Sequence, residues 1–555
     1  MSKIITVTYK GKEEKKYPVG VTLKEISKDF SKYYKYPVLI SEVNNNIREL
    51  NEEVLKNIDV DFFDRTSNVG LSTYGRTLQF ILVYALKRIN ARAKLRIENS
   101  IDKGFYCEVS GIELNKPLIN ALQKEMEKIV LEKWEIIKFN VRRQDAIEYF
   151  AKRKMADKVN VLKYISNSYV SLYRIDDVYD YFYGPLADNT SLIDEFKLSY
   201  IKDKGFVVSY PTEANPDITL DYVHHEMLFN KFCEYEKWNK MLGTQNASDI
   251  NNYVTNGDFS ELINLSETFY ENQLSDIANK IYENKKNIKI VLIAGPSSSG
   301  KTTTAKKLSI YLKSRGLKTH SLSTDDYFVE REQTPKHKDG SYDFECVEAV
   351  DVTLFNRTLV DLLNGKEVNL PEFNFITGKK EYKGKTLKLG NDDVVIVEGL
   401  HAINEKLTPA IEQKNKYKIY ISPLTQLNID DHNRIHTSDI RKLRRMVRDN
   451  NFRGYSASDT LNAWKSIRQG EEKYVFPFQD EADVVINSSL LYEIGILKLY
   501  AEPLLFSVKE DEGCYTEAIR LINFLRNFLA IPSENVPKDS VLREFIGGSC
   551  YYEKN

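Results

Sequence analysis

Hydrophobic and polar residues alternate in short runs near the start of the chain. Ile4–Tyr9 and Ile58–Phe63 place apolar residues at about every second position, which is typical of half-buried β-strands. Thr22, followed three residues later by Glu25, forms the capping-box pattern that begins a helix. The pattern predicts a small β-rich module over residues 1–65.

The pattern then changes to helical spacing. From Leu78 to Leu86 apolar residues recur every three or four positions, and residues 118–130 repeat this period in a more charged helix. With the strand-like runs between them, these helices predict an α+β domain over residues 66–242. A polar stretch follows, then a second helical pattern, so we predict a linker and a bridging helix over residues 243–288.

From Lys289 onward the chain repeats strand, loop and helix, which predicts a parallel α/β domain over residues 289–500. Only helical periodicity remains after Leu490, so residues 501–555 are predicted to form a helical extension. The predicted fold class is therefore multidomain, with α+β units before a C-terminal domain that has a mostly parallel sheet. A chain of 555 residues is too long for a single hydrophobic core.

Composition excludes several function classes. The 79 basic and 80 acidic residues nearly cancel, so the net charge gives no reason to expect a DNA or membrane partner. The most apolar run is much shorter than the roughly 20 residues that span a bilayer. Five cysteines lie scattered without metal-like spacing, which indicates a reducing cytoplasm.

The strongest chemical signal is an apolar strand that runs into the sequence G-P-S-S-S-G-K-T and then into a helix pattern. This is the phosphate-binding loop, in which backbone N–H groups and a helix N-terminus surround phosphate oxygens. A chance match on a tight turn is the alternative, and the flanking strand and helix argue against it. The predicted ATP-binding residues are Gly295, Pro296, Ser297, Ser298, Ser299, Gly300, Lys301, Thr302 and Thr303.

Two of these residues carry specific roles. Lys301 can reach the β- and γ-phosphates, and the Thr302 hydroxyl can ligate Mg²⁺. ATP and Mg²⁺ are therefore the predicted cofactors.

Two acidic residues follow predicted strands downstream. Asp325 follows the next strand after the loop, and Glu398 ends the apolar run Asp393–Glu398. Because the carboxyl ends of parallel strands share one crevice, both side chains should lie beside the phosphates. Asp325 could accept a proton from an acceptor hydroxyl and help hold the metal, and Glu398 could direct the metal. A helix N-cap and a surface glutamate are the respective alternatives.

A basic segment extends over residues 434–453. Arg441, Arg445 and Arg448 share one helix face, where guanidinium groups could close over a transferring phosphate. A solvated basic face is the alternative interpretation.

Residues 289–500 resemble the uridine kinase and phosphoribulokinase family of P-loop kinases. The similarity covers the phosphate loop, the motif S-T-D-D-Y-F, the segments 342–351 and 371–375, the motif V-V-I-V-E-G-L-H-A-I-N and the segment D-I-R-K-L-R-R-M-V-R-D. The resemblance implies that Asp325 is the general base and that Thr302 and Glu398 serve the metal, with Asp325 beside them.

The resemblance also assigns the remaining site residues. It places Arg445 and Arg448 with Lys301 and Asp325 in the catalytic group, and it implies a mobile lid that includes Arg444 and Arg453. Glu345 is a candidate acceptor for a ribose hydroxyl. The substrate-binding set that it implies is Phe328, Phe344, Glu345, Phe373, Phe375, Arg444 and Arg453.

Two positions depart from the uridine kinase pattern. Gly378 stands where the family has a base-reading histidine, and Tyr455 stands where it has an arginine that helps hold the pyrimidine. Because buried hydrogen-bond partners supply most of the discrimination among polar substrates, these departures leave the base open.

Residues 1–63 resemble the TGS domain, a β-grasp module, and residues 70–240 resemble the second additional, editing-type domain of threonyl-tRNA synthetase. The four metal-ligand positions of that editing site hold Arg76, Phe80, Phe182 and Leu186 here. These side chains lack the imidazole and thiolate donors of such a site, so we expect no metal and no aminoacyl-tRNA hydrolysis. The pair His224-His225 is not expected to bind a metal, because adjacent side chains point apart.

The sequence therefore predicts a cytoplasmic, ATP·Mg²⁺-dependent kinase that acts on the 5′-hydroxyl of a nucleoside. One alternative is a phosphoribulokinase-like kinase of another small hydroxylated acceptor. Another is a nucleotide-regulated, RNA-associated protein, although acidic residues interleave the five basic residues of segment 141–155. We also expect a homo-oligomer.

Overall fold

The computed structural model describes residues 3–202, 204–336, 340, 342–343, 345–374 and 377–552. Its first unit is a five-stranded sheet in the order β2-β1-β7-β4-β5, with β1 and β7 parallel, and it encloses its own apolar core. The predicted capping box at Thr22 and Glu25 is present and begins α1. The elements are β1 Ile4–Tyr9, β2 Glu13–Pro18, β3 Val21–Thr22, α1 Leu23–Lys28, β4 Ile40–Val43, β5 Asn46–Arg48, β6 Glu53–Val54 and β7 Ile58–Phe63.

The second unit is α+β. A four-stranded antiparallel sheet in the order β13-β14-β9-β8 packs against α2 and α3, and a separate three-stranded sheet has the order β10-β11-β12. The elements are α2 Asn68–Ile89, β8 Lys94–Ile101, β9 Gly104–Ser110, α3 Lys116–Glu132, β10 Ile137–Arg142, α4 Arg143–Lys152, α5 Ala156–Lys163, β11 Tyr169–Ile175, β12 Val178–Asp180, β13 Lys197–Ile201, β14 Gly205–Ser209 and α6 Glu226–Leu242.

The polar stretch after residue 242 is not an extended linker. Ala247–Asn256 form a helix, α7, and Phe259–Glu283 form the bridging helix α8. The buried side of α7 carries Ile250 and also Asn251, whose side-chain amide donates to the Asn527 carbonyl at 2.9 Å. Polar residues serve here as partners for another part of the chain, which their composition alone does not reveal.

The third unit has a five-stranded parallel sheet in the order β16-β21-β15-β22-β25. This confirms the predicted fold class and brings the carboxyl ends of β15, β16 and β21 to one edge. The elements are β15 Ile290–Ala294, α9 Lys301–Lys313, β16 Lys318–Ser323, α10 Val352–Leu363, β17 Val368–Asn369, β18 Glu372–Asn374, β19 Lys379–Glu381, β20 Thr386–Leu387, β21 Asp393–Glu398, β22 Lys416–Ser422, β23 Asn428–Asp430, β24 Asn433–Arg434, α11 Thr437–Arg453, α12 Ala457–Tyr474, β25 Val484–Asn487, α13 Glu493–Phe506, α14 Tyr515–Leu525 and α15 Arg543–Ile546.

The second and third units share hydrophobic cores. Phe150 and Leu162 of the second unit belong to the same cluster as Leu308 and Ile421 of the parallel-sheet unit, and α13, α14 and α15 contribute to it as well. The two units therefore bury apolar surface against each other. In the described segments, none of the helices combines the length and apolar character needed to cross a bilayer.

Candidate active site

The loop between β15 and α9 is wound tightly by its glycines. Gly300 has φ +88°, and a Cβ atom there would collide with a methyl group of Val541. A Cβ atom on Gly295 would collide with the Ile421 carbonyl. Both positions therefore require glycine, one for its left-handed backbone and both for close approach.

Four backbone N–H groups of the loop have no acceptor within the described chain, namely those of Ser298, Gly300, Lys301 and Thr302. They lie at the turn before α9 and in its first residues, where the helix dipole adds positive potential. Unpaired N–H groups at a helix N-terminus form a binding site for an anion such as phosphate.

The Lys301 side chain extends back across this loop. Its Nζ donates to the Gly295 carbonyl at 2.9 Å and to the Pro296 carbonyl at 3.1 Å. Burial lowers the pKa of Lys301, and the nearby carboxylates of Glu398 and Glu544 oppose that shift. The ammonium is thereby held at the loop by contacts that need no bound nucleotide.

Glu398 and Thr302 meet at the end of β21. The Thr302 hydroxyl lies 3.3 and 3.4 Å from the two carboxylate oxygens of Glu398. Burial raises the pKa of Glu398 to about 7, with Asp325 and Glu544 adding to the shift and Lys301 opposing it. Two hard oxygen donors beside an anion cradle fit Mg²⁺, which favours oxygen ligands and substrate phosphates.

The structure distinguishes the two adjacent aspartates. Asp325 is exposed to the cleft, and its N–H donates to the Ser323 hydroxyl at 3.3 Å. Desolvation by the surrounding protein raises the pKa of Asp325, and the charge of Lys301 partly opposes this shift. The carboxylate of Asp326 instead accepts from the Phe373 backbone. Asp325 therefore faces the loop, whereas the Asp326 carboxylate accepts a hydrogen bond from the backbone of the β18 hairpin.

Two arginines of α11 brace the loop from behind. Arg441 Nε donates to the Ser297 carbonyl at 2.9 Å. Arg444 is fully buried, pairs with Glu493 at 2.7 Å and reaches the Ser298 carbonyl at 3.4 Å. Arg444, which we assigned to a mobile lid and to substrate binding, therefore lies beneath the loop, with its charge committed to an internal ion pair.

The other lid candidates surround one carboxylate. Arg445, Arg448 and Arg453 pair with Asp449 at 3.1, 2.9 and 3.3 Å, and Arg445 also donates to the Ser297 hydroxyl at 2.7 Å. Three guanidinium groups share one negative charge, so the cluster is cationic. It can attract an anion at the loop.

The acceptor side of the cleft is aromatic and acidic. The rings of Phe328 and Phe373 meet edge to face at 5.7 Å, and burial raises the pKa of Glu345. Arg445 acts electrostatically on Glu345, which places the acid near the cationic cluster. Phe344 and Phe375, which we predicted to line this pocket, lie outside the described residues.

Three residues that sequence reasoning did not select surround this pocket. His401 is buried, and its ring meets the Tyr474 ring edge to face at 6.1 Å. The Tyr474 hydroxyl donates to Asp343 at 3.0 Å. His401 follows Glu398 by three positions in the family motif, so its position in that motif was an available signal.

The structure shows what surrounds the two residues that depart from the uridine kinase pattern. Gly378 has φ +71°, and a Cβ atom there would lie 2.7 Å from the Cβ of Arg331. Tyr455 is 51% exposed. The space beside Gly378 is therefore filled by an arginine stem.

The C-terminal segment reaches the loop, which the sequence did not indicate. Glu544 accepts from the Thr303 backbone N–H at 3.2 Å and from the Thr303 hydroxyl at 2.7 Å. Tyr552 lies 3.4 Å from the same hydroxyl, and Lys306 stacks over the Tyr552 ring at 3.9 Å. A carboxylate thus occupies one anion position at the start of α9, while the four N–H groups before it stay open.

At the four positions of the second unit that correspond to the editing site, three apolar side chains pack in the core and the fourth residue is an arginine. The Phe80 and Phe182 rings lie 5.3 Å apart, Leu186 is buried, and Arg76 Nε donates to the Pro185 carbonyl at 2.9 Å.

The histidine pair of this unit also has separate partners. His224 contacts Tyr222 and Glu226, whereas His225 contacts Asp480. The two rings therefore face different neighbours.

Taken together, a glycine loop with open N–H groups, a lysine, and acids at two neighbouring strand ends define a P-loop nucleotide site. Residues 290–491 match the model of the Phosphoribulokinase / Uridine kinase family. The C-terminal part of the chain thus matches the model of this kinase family, and the N-terminal part is similar to threonine–tRNA ligases.

The similarity of the N-terminal half comes from curated relatives. The threonine–tRNA ligase of Acetivibrio thermocellus is 27% identical over 200 residues, which cover 35% of this chain and 31% of that protein. Threonine–tRNA ligase 2 of Bacillus subtilis is 27% identical over 203 residues, covering 36% and 32%. The chain spans about a third of the length of these relatives.

Solved structures resemble the chain more distantly. A possible uridine kinase from Bacillus stearothermophilus has a TM-score of 0.26 at 19% identity and covers 39% of this chain and 99% of that one. D-glycerate 3-kinase from Cryptococcus neoformans has a TM-score of 0.20 at 14% identity, covering 46% and 87%.

Proposed function

We propose that the protein is an ATP·Mg²⁺-dependent kinase that transfers the γ-phosphoryl group to the 5′-hydroxyl of a nucleoside. The observation that carries the proposal is the open row of loop N–H groups flanked by Asp325 and Glu398 at the ends of adjacent strands. Phosphoryl transfer depends mainly on positioning and on charge stabilisation, and this geometry supports both.

Each residue has a role in the proposed reaction. The loop N–H groups and Lys301 hold the phosphates, and the Thr302 hydroxyl and the Glu398 carboxylate would hold Mg²⁺. The metal would neutralise charge on the phosphate oxygens. Asp325 accepts the proton of the acceptor hydroxyl, and Arg445 and Arg448 face the charge that spreads over the transferred group.

The character of the cleft supports a nucleoside as acceptor. The edge-to-face pair Phe328 and Phe373 offers an apolar wall for a planar base, and Glu345 offers a carboxylate to ribose hydroxyls. Gly378 carries no side chain that could read a base, so nothing at this position selects one nucleoside over another.

One observation favours a second acceptor. The Arg331 side chain packs against Gly378 at the hairpin beside the aromatic pair, and the backbone N–H of Arg331 donates to the Gly378 carbonyl at 2.9 Å. A cation at this position would suit a phosphorylated acceptor, such as a sugar phosphate.

The test is ADP release from ATP·Mg²⁺ with a panel of nucleosides and sugar phosphates. We expect a nucleoside to stimulate ADP release. We expect Asp325→Asn to reduce kcat about a hundredfold or more with little change in ATP affinity, because the substitution removes only the general base. Asp326→Asn is the matched control, since its carboxylate faces the β18 backbone, and it should retain most activity. Equal activity of wild type and Asp325→Asn would remove Asp325 from the reaction, and stimulation by sugar phosphates alone would select the second acceptor.

A further inference from the structure

A cavity of about 1220 Å³ lies between the N-terminal half and the kinase domain, away from the phosphate loop. Its wall includes residues 45–49 of the first unit, the start of α2 with Arg76, residues 164–173 and 181–185 of the second unit, the turn before α11, and α14 with the residues after it. Binding sites for small molecules typically have volumes of about 300–1,000 Å³, so this space is large enough for a nucleotide-sized ligand.

Most charged groups of the wall are already paired. Lys138 pairs with Glu49 at 2.9 Å, and Arg520 forms two contacts with Asp439 at 2.9 and 2.6 Å. Lys442 pairs with Glu517. These residues form closed ion pairs and offer little charge to a ligand.

Among the described residues, three arginines of the wall have no carboxylate partner: Arg526, which is exposed, and the less exposed Arg76 and Arg434. Arg76 uses only its Nε, on the Pro185 carbonyl. Arg434 is 6% exposed, donates from Nη1 to Ser100, and its buried Nε has no hydrogen-bond partner. An unpaired buried guanidinium is costly unless an anion or solvent satisfies it.

The N-terminus of α11 opens onto the same cavity. His436 precedes the helix without a side-chain cap, and both His436 and Ser438 line the space. Burial lowers the pKa of His436 well below its usual value, and Arg434, Arg520 and Arg76 add to the shift. Arg76, Arg434 and Arg520 line the same cavity as this helix start, where the helix dipole also favours an anion.

We propose that this cavity binds a phosphorylated small molecule, whose phosphate group is held by Arg76, Arg434 and the N-terminus of α11. Planar guanidinium groups donate two parallel hydrogen bonds to phosphate oxygens, and tyrosines of the wall, among them Tyr169 and Tyr183, offer surfaces for a ring. The residues involved are distinct from those of the phosphate loop.

Binding in the cavity is connected to the loop through one element. Helix α11 begins at the cavity, and its later turns carry Arg441 and Arg444, which contact the carbonyls of Ser297 and Ser298. A ligand that holds the start of α11 therefore stabilises the helix that braces the phosphate loop.

The experiment measures calorimetric binding of inorganic pyrophosphate and of AMP to the full chain. The background variant is Lys301→Gln, which weakens anion binding at the phosphate loop and leaves the cavity unchanged. We expect saturable binding to persist in this background and to weaken at least tenfold when Arg76→Gln is added. Arg526→Gln is the matched control, since Arg526 lines the same cavity but bonds to Asn523, and it should change affinity less than threefold.

A second variant distinguishes loss of the binding site from misfolding. Arg434→Lys keeps the buried charge but loses the two-pronged donor, so binding should weaken while the unfolding midpoint stays close to that of the background protein. Binding that is absent from Lys301→Gln, or that Arg76→Gln leaves unchanged, would overturn the proposal. The assay requires no turnover, so its outcome is separate from that of the proposed kinase reaction.

Discussion

Glu398 lies among Lys301, Asp325 and Glu544, and the direction of its pKa shift has a consequence for stability. An acid whose pKa is raised by folding stabilises the protein below the pKa of the unfolded chain and loses that contribution as the pH rises through the folded value. The relevant window runs from about 4.5, the ordinary value, to about 7.

We therefore expect the unfolding free energy of the metal-free wild type, relative to Glu398→Gln, to fall between pH 5 and pH 8. The fall should be at most about 3 kcal/mol, because one pKa unit corresponds to about 1.4 kcal/mol. Urea denaturation of both proteins across this range measures it. A difference that stays flat or rises with pH would contradict the raised pKa.

Glu544 places a carboxylate on the N–H and hydroxyl of Thr303, beside the open N–H groups. A nucleotide phosphate at the start of α9 must displace this carboxylate or lie beside it, and both cost free energy. We expect Glu544→Gln to bind ATP about three- to thirtyfold more tightly than wild type, as measured by fluorescence titration of a labelled nucleotide. Glu534→Gln, an exposed acid of the same segment, should leave the affinity unchanged. Weaker binding by Glu544→Gln would show that this carboxylate supports the nucleotide site.

At this scale the sequence predicted residues that lie close together along the chain. Gly295, Lys301 and Thr302 belong to one loop, and Asp325 follows the next strand, so motif spacing was enough. Glu544 was not predicted because it contacts Thr303 across 241 positions. Contacts over such separations depend on packing between elements, and no local pattern encodes them.

At the scale of an element, helix α11 likewise has contacts with distant parts of the chain that its own sequence does not predict. Its arginines form a cationic pattern, which predicts a helix but does not tell which side is buried. The partners that draw Arg441 and Arg444 inward, Glu471 and Glu493, come from α12 and α13. The helix itself was predicted, whereas the division of its arginines between bracing the loop and facing the cleft depended on those later acids.

The buried arginine of α11 should dominate the stability of the element. Arg444 and Glu493 are 0% and 1% exposed, and removal of one member of a buried ion pair leaves an uncompensated charge. We expect Arg444→Gln to lower the unfolding free energy by about 3–5 kcal/mol, as measured by chemical denaturation. Arg453→Gln, on the same helix but half exposed, should cost less than about 1 kcal/mol. Equal costs for the two variants would contradict the buried role of Arg444.

The whole molecule is joined by a buried ionic cluster between its halves. Lys158 of the second unit is 2.8 Å from both Asp180 and Asp430, and His432 contacts Asp180. Burial opposes ionisation of Asp180, but Lys158 and His432 outweigh it and keep its pKa below the ordinary value. The sequence predicted each unit, but composition and periodicity carry no signal for this pairing, because single charged residues in a helix or turn are common.

We expect the second and third units to unfold together. A fragment that begins at residue 289 would expose Asp430 without Lys158 and would also lose a shared apolar core, so it should be insoluble or partly folded. Calorimetry of the full chain should show one main transition for these two units, and Lys158→Met should lower its midpoint by several degrees. Two well-separated transitions for the two units would contradict this coupling.

The contact between Gly300 and Val541 also bears on how the protein is made. The glycine loop emerges from the ribosome long before the segment that packs against it, since Thr303 and Glu544 are 241 positions apart. At synthesis rates of about 5–20 residues per second, roughly ten to fifty seconds pass between the synthesis of Thr303 and that of Glu544. Throughout this interval the carboxylate of Glu544 is absent from the start of α9, so the loop acquires this partner only when the last part of the chain has been made.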